Sequence, residues 1–225
     1  MITEMITSGQ KKQLLRVLED GLDQQQLTKV QADQVLKVGN LVQGDLGKSL
    51  QKHSIVDKRF GANLLDPSQT FTVPTDYNHD TQVDVFGKKT RKLKSTYYYN
   101  DELTSKNFSK ATNKLVPGKT YVIKMFPISE TVQSEDCLAF LASNNATLVG
   151  AQGLTALQND QPEIFPTGKY TVSFDEKDTL WKDAGGYHRV SNVNRYSDGY
   201  WKFHLGYFEI SWYSGDVLVC FCDLD

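Results

Sequence analysis

Near residue 55 the hydrophobic period of the chain changes, and this limits what it can fold into. Up to that point apolar residues recur at helical spacing and proline is absent. Beyond it, Tyr, Phe, Val and Thr gather in short runs separated by Gly, Pro, Asn and Asp, the chemistry of strands and turns. The pattern predicts an α+β protein. An N-terminal helical hairpin over 1–55 leads, by a connection over 54–70, to a mainly antiparallel β-rich domain over 70–225 with one or two inserted helices.

In the leader, Leu14, Leu15, Val17, Leu18 and Leu22 form one apolar stripe. Thr28 and Gln31 have the spacing of a capping box ahead of a second stripe from Val30 to Val42. A two-helix hairpin leaves one face uncovered, so the leader is expected to dock on a protein partner or to self-associate. In the body, strands are expected at Thr70–Val73, Gln82–Phe86, Ser95–Tyr99, Thr120–Phe126, Ala146–Val149, Lys169–Phe174, His188–Val193, Tyr200–Leu205, Tyr207–Trp212 and Val217–Cys222. Ser134, followed by Glu135 and Asp136, starts a helix. A short one is expected around Gly153–Gln158. Asp198-Gly199 between two strand-like runs is a hairpin signal. Val217 to Cys222 is wholly apolar, which suits a strand buried on both faces.

Charge separates along the chain although the net charge is only −2. Residues 82–125 carry ten Lys or Arg against three Asp or Glu, and residues 126–225 carry six against fourteen. Such segments face each other or are solvated, or the basic one meets a polyanion. The three cysteines do not make a secreted disulfide framework. The first residues lack a signal-peptide pattern, and no run approaches the ~18 apolar residues of a membrane span. A cytoplasmic protein with no membrane association is expected.

No catalytic or cofactor motif stands out, and no cofactor is expected. As residue types, Cys137, His188 and His204 could form a thiol–base pair, but no local signature joins them. Cys220 and Cys222 share one face of a strand, with sulfurs expected about 7 Å apart. Without a second pair they suit a core strand better than a metal site, so no metal is expected. Lys88, Lys89, Arg91 and Lys92 precede Tyr97 and Tyr99, the mixture of charge and stacking that single-stranded nucleic acid uses. The competing reading is a solvated hairpin turn before a strand. Asp175, Glu176, Asp178, Glu209 and Asp216 lie among Trp181, Tyr200, Trp201, Tyr207, Trp212 and Tyr213. Carboxylates beside aromatics describe a glycoside hydrolase, a carbohydrate- or protein-binding face, or the boundary of a half-wet sheet.

Two parts of the chain carry a resemblance. Leu27 to Gln43 is similar to a helical leader of uncharacterised short bacterial proteins. Ser134–Leu141, Val149–Gly153, Ser173–Trp181 and Cys220–Leu224 resemble the C-terminal half of some of them. The resemblance implies a bacterial origin and a leader that works as a reusable module. It implies no activity, cofactor or catalytic residue. The sequence reading is a non-enzymatic bacterial interaction protein with an aromatic binding face that includes Trp201 and Trp212. Its alternatives are a hydrolase using carboxylates or a Cys/His pair, and nucleic-acid binding through 88–99.

Overall fold

The computed structural model of the chain describes residues 57–224. The helical hairpin expected over 1–55, with its docking or self-association, lies outside the described residues. The body from Asp57 onward is a compact unit.

Its strands are β1 (Thr70–Thr72), β2 (Tyr97–Tyr99), β3 (Thr120–Pro127), β4 (Ala146–Thr147), β5 (Tyr170–Ser173), β6 (Arg189–Arg195), β7 (Trp201–Tyr207) and β8 (Val217–Asp223). Its helices are α1 (Gln82–Thr90), α2 (Ser134–Ser143) and α3 (Gly150–Asp160). The strands form one sheet in the order β1-β3-β8-β5-β6-β7-β2. Beyond the end of β5, β4 takes the same edge of β8, through Ala146 opposite Cys222 and Thr147 opposite Phe221. Pairing is antiparallel except between β5 and β8 and between β2 and β7. The α+β class holds, with a sheet that is mostly antiparallel.

The apolar run Val217 to Cys222 explains the centre of this sheet. With β3 on one side and β5 and β4 on the other, both edges of β8 are paired. Val217, Val219 and Phe221 point into one core with Tyr121, Ile123 and Met125 of β3, Phe203 and Leu205 of β7, Val83 and Phe86 of α1, and Leu154 and Leu157 of α3. Leu218, Cys220 and Cys222 belong to a second core with Phe126, Val172, Val190, Phe208, Trp212, and Cys137 and Leu141 of α2. Helices thus lie on both sides of the sheet.

Three local readings differ from the sequence pattern. Gln82–Phe86 is not a strand. Val83 and Val85 alternate, but the buried positions are Val83, Phe86, Gly87 and Thr90, which is helical spacing. Lys88 and Lys89 then fall in the last turn of α1, where cations complement the helix dipole. Tyr207–Trp212 is not a strand either. β7 ends at Tyr207, and only a single bridge joins Trp212 to Val132. Residues 57–69, read as part of a connection, are irregular but packed, with Phe60 buried and stacked on Phe140 at 4.0 Å.

α3 is longer than Gly153–Gln158, and every residue from Gly150 to Gln158 is buried. Its buried polar side chains donate hydrogen bonds inside the body, although Gln152 Oε1 has no partner among the described residues. Thr155 Oγ1 donates to the Ala151 carbonyl, Gln158 Nε2 to the Tyr97 hydroxyl, and Gln152 Nε2 to the Phe108 carbonyl. Gly150 has φ +46°, and a Cβ there would collide with Asp175 Oδ2. The missing side chain lets this carboxylate close over the first turn of the helix.

Candidate ligand-binding groove

β6 and β7 build the site by alternation. Val193 of β6 points into the α1/α3 core, while Val190, Asn192 and Asn194 point to the other face. The register sets Asn192 opposite His204, Asn194 opposite Lys202, and Val190 opposite Gly206. On the other side, β5 sets Tyr170 opposite Asn194. α2 covers the β3/β8 half of this face. Over the β6/β7 half a groove of about 200 Å³ opens, its lining including Tyr170, Asn192, Lys202, His204, Trp212 and Tyr213.

The segment after β7 makes the groove's wall. Trp212 Nε1 donates to Ser134 Oγ of α2 at 2.8 Å, and its ring packs edge-on to Phe174. A Cβ on Gly206 would come within 2.7 Å of the Trp212 ring and 3.2 Å of Asn192 Nδ2. Glycine is what lets the indole lie against the sheet beside that amide. Tyr207 borders the groove, and the Arg189 guanidinium carbon lies 3.9 Å from its ring centre. Ile210, Ser211 and Asp216 complete the wall, and Tyr213, 60% exposed, stands at the rim.

Two features of the lining are unusual for a packed sheet. The first is Asn192 of β6, only 4% exposed, whose Oδ1 atom lacks a hydrogen-bond partner among the described residues; Asn194, 5% exposed and not one of the lining residues, shares this feature. Leaving such a buried acceptor unmet costs about 1–3 kcal/mol. The second is electrical balance, since one ammonium, Lys202, is matched by one carboxylate, Asp216. Burial, reinforced by the charges of Lys202 and Arg189, lowers the His204 pKa, so its imidazole is neutral near pH 7. Burial raises the pKa of Asp216, while an N–H from Tyr213 at 3.0 Å works against the shift.

The residues singled out by sequence fall into separate places. His204 and Trp212 line the groove. Trp201 is buried in the other core, stacked with Tyr97 at 6.2 Å. Tyr99 is buried too, and its hydroxyl donates to the Val83 carbonyl at 3.0 Å. It is Tyr98, between them, that faces outward, its ring 6.1 Å from that of His204. Lys89 bonds Asn159 at 2.7 Å, and Arg91 lies over Tyr99 and near Asp101. Lys88 and Lys92 are exposed around the end of α1.

Cys137 is fully buried on α2, and burial pushes its thiol up to about 12. Such a thiol is a packing group and not a ready nucleophile. His188 lies just before β6, where its Nδ1 is 2.6 Å from Glu209. Cys220 and Cys222 do share a face, with rotamers that bring the sulfurs to 3.9 Å instead of about 7 Å. Their mutual contact and burial raise the Cys220 thiol's pKa far above its ordinary value. Among the described residues no group of three or more His, Cys, Asp or Glu could hold a metal ion, and no helix is long and apolar enough to cross a membrane.

The sequence pattern does not single out Asn192, Asn194, Lys202 or Tyr170. A signal for the first two was present, as amides at alternate positions of a run otherwise rich in strand formers. Comparison of the chain with protein families, with curated proteins and with solved structures returned no match.

Proposed function

We propose that this chain is a non-enzymatic binding protein whose β body takes its ligand in the groove across β6 and β7. The observation that carries the reading is the Asn192 amide. It lines the groove, is almost wholly buried, and has an oxygen with no hydrogen-bond partner among the described residues. A fold that needed only packing at this position would do better with Val or Leu. Tyr170, Trp212 and Tyr213 supply aromatic surface around a few polar groups, the composition of small-ligand sites. The high pKa of the Cys137 thiol weighs against the Cys/His hydrolase reading. The core positions of Tyr99 and Trp201 weigh against base stacking at 88–99.

The periodicity of residues 14–42 supports a leader that docks on a protein partner or self-associates, and the resemblance supports a bacterial origin. The buried thiols Cys137 and Cys220 suit a reducing cytoplasm. A ligand-observed NMR screen of small polar fragments against the full chain tests the reading. Fragments should bind, and Asn192→Leu should abolish their binding. Binding that is indifferent to this substitution would place the site elsewhere.

A further inference from the structure

We infer that the groove ligand is a neutral pyranose sugar, an inference that rests on the binding reading above. Size is the first argument. The groove holds about 200 Å³, against the ~150 Å³ of an engineered cavity that binds benzene. That is room for one six-membered ring with its substituents.

Charge is the second argument. The lining carries one ammonium, Lys202, and one carboxylate, Asp216, and His204 is neutral near pH 7. An anionic ligand would meet Lys202 but also Asp216 and the lone pairs of Asn192. A cationic one would meet Asp216 but also Lys202. A neutral ligand carries neither penalty.

Hydrogen-bonding capacity is the third. The Asn192 amide offers both a donor and an acceptor, and its acceptor is unused. Oδ1 is itself inaccessible, and a turn about χ2 would exchange it with Nδ2. Neutral His204 also offers one donor and one acceptor, and Lys202 offers donors only. The complementary group is one that donates and accepts at once, as a hydroxyl does, and a pyranose carries several on one ring. Its C–H face suits the aromatic surface of Tyr170 and Trp212, since such side chains combine an apolar body with a polar handle.

The test is saturation-transfer NMR on the full chain with D-glucose, D-galactose, D-mannose and N-acetyl-D-glucosamine. Glucuronate and glucosamine serve as the charged counterparts, and a set of non-sugar polar fragments is run in parallel. At least one neutral sugar should bind with a Kd on the order of 1 mM. Asn192→Leu, with its fold checked by near-UV circular dichroism, should weaken it at least tenfold, and the charged counterparts should bind less well. If that variant does not fold, Lys202→Met supplies the same reading. Non-sugar fragments that bind and are lost in the variant, while every sugar fails, would overturn the sugar assignment and leave the binding site standing. Sugar binding unaffected by both substitutions would overturn the assignment of the ligand to this groove. If no probe binds, both readings fall.

Discussion

β8 and β6 are both buried over six consecutive residues, but with opposite chemistry. β8 is Val-Leu-Val-Cys-Phe-Cys through this stretch, apolar on both faces and closed under helices on each side. β6 is Arg-Val-Ser-Asn-Val-Asn, with four polar side chains in six. Some of that polarity is used within the fold. Ser191 Oγ donates to the Ser173 carbonyl, and Arg189 stacks on Tyr207. The two amides each leave their oxygen unmet among the described residues, and Arg189 leaves Nε and Nη1 without a hydrogen-bond partner. In β8 burial is explained by stability alone, whereas in β6 part of it works against stability. That difference marks the groove as the part of the sheet shaped by something other than folding.

The contrast is broken most severely at the centre of β8. Phe221 is fully buried and meets Phe71 and Tyr121 edge-on. Phe221→Ala should cost about 3–5 kcal/mol, read from denaturant unfolding. Asn194→Ala, at an almost equally inaccessible site on β6, should cost less than ~1 kcal/mol, since the lost amide has an unmet acceptor. Equal losses would erase the distinction between the strands.

β5 lies between them, and just beyond its end Asp175 is buried against the start of α3. Burial raises its carboxyl to about 6 from 3.8, partly opposed by hydrogen bonding from Thr112. The folded state therefore holds this proton more tightly than the unfolded state. The contribution of Asp175 to stability is fully present below about pH 4 and is lost as pH rises through 6, by up to ~3 kcal/mol. Asp175→Asn, which cannot ionise, should therefore gain on the native protein by up to that amount between about pH 4 and pH 8. A constant difference across this range would show that the carboxylate is ionised without penalty. A further small effect is expected at Cys220, which is 2% exposed. Cys220→Ala should cost about 1 kcal/mol, and native-state thiol labelling at Cys220 should be slow. Rapid labelling would put β8 at the surface and remove one side of the comparison.

β8 is legible in the sequence because six apolar residues in a row have few other places to go. β6 is legible as a strand but not as a site. The Asp198-Gly199 signal does mark the β6–β7 hairpin, where Gly199 adopts φ +85°, and that hairpin sets the amides opposite His204 and Lys202. Alternation then shows that Asn192 and Asn194 share a face, but not that Trp212, past the end of β7, folds back over it. The aromatic-rich run from Tyr207 to Trp212 reads locally as a strand, and only the tertiary contact with Ser134 shows it to be a wall. α1 departs from its pattern for a related reason. Over five residues Val83, Val85 and their polar neighbours alternate, and the helical period emerges only when Gly87 and Thr90 are included. Tyr97, Tyr98 and Tyr99 carry a correct alternation, but the pattern does not say which side is the core.

The central claim is that the Asn192 amide is kept at the expense of stability. Its most direct test is the unfolding free energy of Asn192→Leu, measured by chemical denaturation of the full chain without ligand. The account predicts a stability unchanged or raised by up to ~1 kcal/mol, because an acceptor with no partner is replaced by an apolar group of similar size. A loss of ~2 kcal/mol or more, with an unchanged denaturant slope, would contradict it and make Asn192 a structural residue of the sheet.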